Sequence, residues 1–275
     1  MHRVANGWRI AQASWRVLSH DRELIAVPVL AAIGAALAFA AVAGPGVLLL
    51  GGSDAVQAGE VALWLVLVLA TVLATWVVAL GSAAVVAGAA ERMAGGEPTL
   101  GSAFAAARAR AGRLLGWAVL ATVVSIVLDQ LEERLGFLGR VVSWIAGTAF
   151  SVISFLALPI IVFEDVGPIE ALKRSARMLR STWGEQLAFN FGLGLLGFVA
   201  VLPAVAIAAG LVATGLVVLQ VVGVVLAVAW IVVVMAVTSA LSAVFKAALY
   251  RWATGLPVDP AFDAGELTAA FRKRR

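Results

Sequence analysis

The side chains with the clearest chemistry are arginines and lysines that lie opposite apolar residues at helical spacing. Three short segments, near residues 6–20, 102–113 and 168–181, repeat apolar residues three and four positions apart and carry cations on the other face. This pattern is typical of helices that lie at a membrane surface and bind anionic lipid phosphates. The candidate contacts to lipid or to a partner protein are Arg9, Arg16, Arg108, Lys173, Arg174, Arg177 and Arg180.

The end of the sequence holds two further candidate contacts. Residues 251–275 are polar with isolated apolar side chains, and they end in a run of arginine and lysine. They predict a cytoplasmic tail with two alternatives: a disordered end, or a segment that docks on the bundle or on a partner protein. For docking, Phe262 and Phe271 are the expected anchors, because aromatic side chains contribute most to such contacts.

The residue types that catalysis or metal binding would need are scarce. The sequence has no cysteine, which excludes a thiolate metal site and a cysteine nucleophile. Its two histidines, His2 and His20, both precede the first apolar run. We find no phosphate-binding loop, nucleophile–base pair or cofactor fingerprint. We therefore assign no catalytic residue, no metal and no cofactor, and we favour a protein that is not an enzyme.

The overall composition indicates a membrane protein. Hydrophobic residues make up 63% of the 275 residues and charged residues 13%. Soluble domains have about 25% charged residues, and they need that polar cover because their surface faces water. The same composition excludes an intrinsically disordered chain.

Long apolar runs define the expected architecture. A bilayer core is crossed by about 20 helical residues. Six runs qualify, at residues 24–43, 61–90, 114–131, 141–163, 187–209 and 216–243. The sequence therefore predicts an all-α membrane protein with six transmembrane helices, arranged as three hairpins that each follow a basic amphipathic interfacial helix. This transmembrane domain takes residues 1–250, and the tail follows it.

Local signals predict where some of these helices begin and end. The consecutive Gly44, Pro45 and Gly46 predict the end of the first transmembrane helix. Ser102 is the expected start signal of the second interfacial helix, and Pro168 is expected at the first position of the third.

The charges predict the orientation. Of the 20 lysines and arginines, all but Arg134 and Arg140 fall in the N-terminal segment, in the loops after the second and fourth runs, or after the sixth run. By the positive-inside rule that side is cytoplasmic, so both termini are expected inside the cytoplasmic membrane. The basic residues therefore indicate topology rather than nucleic-acid binding.

One block of sequence carries a family resemblance. The stretch VFEDVGPIEALKRSARMLRSTWGEQ, with the start of the chain and its tail, resembles an uncharacterised prokaryotic family of membrane proteins, domain of unknown function 6159. A looser form of the block is similar to membrane domains attached to some glycerophosphodiesterases, whose hydrolytic residues belong to a separate soluble domain. The resemblance implies a multi-pass protein and supplies no activity, ligand or catalytic residue.

Together these patterns favour a non-enzymatic integral membrane protein whose basic cytoplasmic face contacts anionic lipid or partner proteins. The alternative is a small permease or lipid-handling transporter, and a third possibility is a membrane-embedded enzyme that acts on lipid. A polar cavity that reaches the middle of the membrane would favour the transporter, whereas a dry, filled bundle centre would favour the scaffold.

Overall fold

The computed structural model describes Ser14 and residues 22–50, 56–179 and 183–257, with side chains for Ser14 and for residues 26–50, 59–178 and 197–257. Within this part of the chain the secondary structure is helical and no strand occurs. The predicted all-α class is therefore confirmed for the described residues. Their helices are α1 (Arg22–Leu50), α2 (Val56–Met93), α3 (Leu100–Arg108), α4 (Ala111–Ile153), α5 (Ala157–Glu164), α6 (Pro168–Leu179), α7 (Trp183–Ala213) and α8 (Val217–Ala253).

Each of the six apolar runs lies on these helices. Four segments are long and apolar enough to cross a membrane, and a shorter apolar helix, Gly197–Ala213, lies within α7. Many large apolar side chains on these helices, such as Leu37, Val225 and Leu69, are exposed on the surface of the bundle. Long apolar helices with such a surface are typical of a membrane protein. The four long segments are Ala26–Leu50, Gly59–Met93, Ala111–Glu164 and Val217–Ala253.

Helix α1 packs antiparallel to α2 through small residues. A Cβ atom on Gly81 would lie 2.3 Å from the Cβ of Ala31, and one on Gly46 would lie 2.4 Å from Val66 Cγ1. The predicted end of the first helix at residues 44–46 is wrong, since α1 continues to Leu50 with Pro45 inside it. Gly46 instead allows the close approach of α2, and apolar surroundings tolerate proline within such a helix.

Helix α4 reverses direction at Gly136. This residue has φ 56° and ψ −125°, which a helix interior does not allow and which glycine adopts without a Cβ clash. The two halves of α4 then lie side by side: the Ser143 hydroxyl donates to the Leu128 carbonyl at 2.7 Å, and the Trp117 and Phe150 rings stack at 6.1 Å. α4 is thus a pair of helices joined at one residue.

A second break separates α4 from α5. Pro159 has no N–H for the carbonyl of Phe155, and its ring would clash with that carbonyl in a continuous helix. The helix accordingly stops at Ile153 and restarts at Ala157, so that Pro159 falls in the first turn, where no N–H is required. The N–H of Leu156, left without a helical partner, donates to the Ser175 hydroxyl of α6 at 3.2 Å.

The bundle has one densely packed end, which we call the packed end. It comprises the second half of α2 (residues 79–93), α3, the start of α4 (111–118), α5, α6 and the last turns of α8 (236–250). Its core is rich in alanine and includes fully buried Leu114, Ile160 and Val244. Towards the other end, exposed apolar side chains dominate α2, α7 and α8. The packed end also holds a group of charged residues on α4, α5 and α6.

Candidate functional site

Several charged residues of the packed end form a cluster around the turn between α5 and α6. Asp165 ends α5 in the left-handed conformation, with φ 53°, and Pro168 then begins α6 as predicted. This turn places two consecutive carboxylates in reach of three other helices. We call the group the ion-pair cluster: Arg110, Arg113, Glu164, Asp165, Glu170, Arg174, Arg177 and Tyr250.

Asp165 binds two arginines from the start of α4. Arg113 donates from Nε at 2.6 Å and from Nη2 at 3.0 Å, one bond to each carboxylate oxygen. Arg110 Nε lies 3.1 Å from the Asp165 Oδ1 atom. The hydrogen bond from Arg113, with the charges of both arginines, lowers the pKa of Asp165. Asp165 is therefore ionised at neutral pH and unsuited to accept or donate a proton.

Glu164 joins α5 to α6 and α8. It forms an ion pair with Arg174, and its Oε1 atom accepts a hydrogen bond of 3.0 Å from the Tyr250 hydroxyl. The Tyr250 ring also stacks on Phe163, with 5.0 Å between ring centres. Glu164 is thus fully engaged in holding three helices together.

Glu170 completes the cluster on the surface of α6. Arg174 Nε donates to it at 2.9 Å, one helical turn along, and the Arg177 Nη2 atom lies 3.5 Å away. The hydrogen bond from Arg174, followed by the charges of Arg174, Arg177 and Lys173, lowers the pKa of Glu170. The same network raises the pKa of Arg174, with the bond to Glu170 as the largest cause.

The predicted contact residues have different environments. Arg108, Lys173 and Arg177 are exposed, whereas Arg174 is held by Glu164 and Glu170. Arg9, Arg16, Arg180, Phe262 and Phe271 lie outside the described residues.

The apolar faces of the short helices pack on the bundle. On α6 the spacing of three and four residues predicts an apolar stripe of Ile169, Leu172, Ala176 and Leu179. Leu172 packs against the core, but Ile169 is 62% exposed. The fully buried residues are Ala171 and Ser175, so the buried face is rotated from this stripe. On α3, Ala103 and Ala107 are buried against α2. The predicted start of this helix is also wrong: Thr99 is the N-cap, and Ser102 occupies the third helical position, N3, where it completes the capping box.

Two cations near the end of α8 have partners that the sequence does not reveal. The Lys246 ammonium lies 5.0 Å from the centre of the Phe155 ring and makes a cation–π contact. Arg251 donates to the Pro257 carbonyl at 2.8 Å and to the Ala90 carbonyl at 3.3 Å. Arg251 thereby ties the end of α8 to the end of α2.

The cluster offers little for catalysis. Its three carboxylates are each paired with arginine, and in the described part of the chain no group of three or more His, Asp or Glu side chains is placed to hold a metal ion. A groove of about 190 Å³ lies elsewhere, between α1, α2 and α8. It is lined mainly by apolar side chains, with the Ser82 and Ser239 side chains among them.

Comparison with known proteins assigns a family. No curated protein matches the sequence. A family model does match it, over residues 61–257, which is more than half of the chain and includes α3 to α6 with the whole ion-pair cluster. The family is described as one of unknown function. The chain therefore belongs to DUF6159, a family of unknown function, as the resemblance of the VFEDVGPIEALKRSARMLRSTWGEQ block implies.

Proposed function

We propose that the protein crosses the cytoplasmic membrane six times, with both termini in the cytoplasm. Helices α1, α2, α7 and α8 supply one span each. The two halves of α4 supply the other two, since the chain reverses at Gly136, and the second of these continues through α5. The charge distribution supports this orientation, because the packed end carries the basic loops that the positive-inside rule assigns to the cytoplasm.

Thiol labelling of single-cysteine variants tests this topology without a background, because the natural chain has no cysteine. Leu138→Cys lies at the tip of α4 and is 71% exposed, and Glu97→Cys lies in the exposed loop before α3. We expect an impermeant thiol reagent to label the first in intact cells and the second only after lysis. The reverse result would overturn the orientation.

We propose further that the protein is not an enzyme and that its cytoplasmic face binds the headgroups of anionic phospholipids. One observation carries this proposal: Arg108 and Lys173 are exposed and have no ion pair with a described residue, whereas each carboxylate of the ion-pair cluster already has an arginine. The cations in excess are therefore available to lipid phosphates. Each contributes about 1 kcal/mol near an anionic surface. A protein partner with an acidic surface would use the same cations.

Native mass spectrometry from mild detergent measures this binding. The double variant Arg108→Gln/Lys173→Gln should retain less phosphatidylglycerol than the natural protein. Arg140→Gln is the matched control, because Arg140 is equally exposed but lies at the far end of α4, where it pairs with Glu132 at 3.0 Å. Equal retention by all three proteins would contradict lipid binding at this face.

A second candidate function is favoured by the groove between α1, α2 and α8. Its apolar lining, with the Ser82 and Ser239 side chains in it, suits an acyl chain, as a lipid-handling transporter would require. Ala32→Trp should fill the groove and abolish lipid transfer between vesicles, while Ala40→Trp, at an exposed position of the same helix outside the groove, should not. Unchanged transfer in both variants would eliminate this candidate.

A further inference from the structure

The charged ends of three long helices lie at one level of the bundle. Arg251 near the end of α8 contacts the carbonyl of Ala90, which directly precedes Glu91 of α2. The contacts of Gly81 with Ala31 and of Gly34 with Val77 align α1 antiparallel to α2, so that Arg22 at the start of α1 falls beside the same end. Between Glu60 and Glu91, helix α2 has no charged residue.

Helix α3 brings other charged residues back from this level towards the middle of α2. At its start, the Ser102 hydroxyl donates to Glu91 at 2.9 Å. Just beyond its end, the Ala111 carbonyl accepts a hydrogen bond of 2.9 Å from Trp76 Nε1. Trp76 lies fifteen residues before Glu91, which is roughly 22 Å along a helix axis, or about four turns. The nine residues from Ser102 to Ala111 rise only about 14 Å, so the Glu91 and Trp76 side chains span the rest. The backbone of Arg110 therefore lies about two to three turns from the level of Ser102 towards the middle of α2.

The two faces of the packed end differ sharply over this interval. On the α1 face the exposed side chains are apolar, with Leu30 at 50%, Ile33 at 51% and Leu37 at 65%. On the α4 face lie Arg108, the ion pair of Arg113 with Asp165, and Arg110. The Arg113 and Asp165 side chains are 43% and 46% exposed. A half-exposed ion pair needs polar surroundings, because hydrocarbon cannot solvate its remaining hydrogen-bonding groups.

The short uncharged stretch of α4 is consistent with polar surroundings that extend deep into the membrane on this face. Between Arg113 and Asp129 its first half has fifteen residues without charge, which is roughly 22 Å. The uncharged stretch of α2, residues 61–90, is twice as long. A bilayer core is about 30 Å thick, so α4 matches only a thinned bilayer.

We infer that the boundary between headgroups and hydrocarbon lies about two to three helical turns deeper on the α4 face than on the α1 face. Phospholipid headgroups enter the resulting notch, where their phosphates contact Arg108 and the outer edges of Arg110 and Arg113. The notch shortens the hydrocarbon path beside α4. The inference rests on the membrane placement proposed above. It adds to that placement a phospholipid-binding site at which the bilayer is locally thinned.

Spin labels on single cysteines test the depth of this boundary in vesicles of phosphatidylcholine and phosphatidylglycerol. The measured quantity is the accessibility of each label to a water-soluble nickel complex relative to its accessibility to oxygen, which concentrates in hydrocarbon. Gly112→Cys lies at the notch, is exposed, and has no atom within 4 Å of its new Cβ. Leu37→Cys is its matched control, since the α1–α2 contacts put Leu37 level with Trp76 on the α1 face. Leu69 is 52% exposed and lies two turns before Trp76 on α2, further from the packed end. Leu69→Cys therefore serves as the reference for a site in hydrocarbon.

We expect a nickel-to-oxygen accessibility ratio several-fold higher at residue 112 than at residue 37, with the ratio at residue 37 as low as at residue 69. Low ratios at all three positions would overturn the notch and leave the membrane placement intact. High ratios at 112 and 37 with a low ratio at 69 would also overturn it, because the whole packed end would then lie outside the hydrocarbon. A high ratio at all three would overturn the membrane placement itself.

A second measurement separates headgroups from water in the notch. A fluorophore on Gly112→Cys should be quenched by phospholipid that carries a spin label in its headgroup, and Arg108→Gln should weaken this quenching while the Arg113–Asp165 pair keeps the site polar. No quenching at residue 112, or quenching that Arg108→Gln leaves unchanged, would overturn headgroup binding.

Discussion

The Tyr250 hydroxyl donates a hydrogen bond of 3.0 Å to the Glu164 carboxylate and so joins two helices whose residues are 86 positions apart in the sequence. Tyr250→Phe removes this bond and keeps the ring that stacks on Phe163. We expect the free energy of unfolding to fall by about 1.5–3 kcal/mol, the usual contribution of a hydrogen bond to a charged group. Thermal unfolding in detergent measures it. Thr254→Ala, whose hydroxyl bonds only carbonyls of its own helix, is the control and should change little.

Acid should loosen the turn between α5 and α6. The pKa of Asp165 is lowered in the folded protein, so the ion pair stabilises the fold above the ordinary value of 3.8, and this stability is lost as pH falls through the lowered value. Asp165→Asn should be less stable than the natural protein at neutral pH, and the difference should shrink on acidification. Melting temperatures across that range would show it. A difference that does not change with pH would contradict a role for the Asp165 charge.

Close packing of α1 on α2 should make Gly81 intolerant of a methyl group. Gly81→Ala places its Cβ 2.3 Å from that of Ala31, and overpacking of this kind typically costs about 1–3 kcal/mol. The double variant Gly81→Ala/Ala31→Gly should recover most of the loss in melting temperature. Gly112→Ala, with open space around its Cβ, is the control. Failure of the rescue would mean that the loss has another cause.

Ser175 should be important for stability because its hydroxyl accepts a hydrogen bond from the backbone N–H of Leu156. Ser175→Ala leaves the N–H of Leu156 buried without a partner, which costs about 1–3 kcal/mol. Ser154→Ala removes a hydroxyl that bonds only its own helix, and it should be nearly neutral in the same unfolding measurement. If both variants unfold alike, the Ser175 hydroxyl does not support the break between α4 and α5.

The long helices could be predicted because each depends on its own apolar composition. The end predicted at residues 44–46 failed for the converse reason: Val66, a residue of another helix, packs on Gly46 and keeps α1 continuous. A local glycine and proline signal does not contain this contact. The start at Pro168 was correct because proline at the first helical position needs no partner elsewhere.

The cluster could be predicted only in part. The sequence identifies its cations, but the pairing of Arg113 with Asp165 joins residues 52 apart, and it depends on the reversal at Gly136. The buried face of α6 was misjudged because Ser175 serves a backbone break that lies about five turns earlier in the chain. Contacts between residues that are distant in the sequence produce no periodic pattern in it, so they could not be predicted.

The alanine-rich core of the packed end sets how far this protein can change over evolution. Ala83, Ala84 and Ala89 are fully buried among neighbouring helices, so larger residues have no space there. Positions such as Leu65 and Leu69 face outward, where any apolar residue serves equally well. Members of the family should accordingly keep small residues along the second half of α2, whereas in the first half only outward-facing positions such as Leu65 and Leu69 should vary among apolar residues, and Ala70, which is fully buried, should stay small.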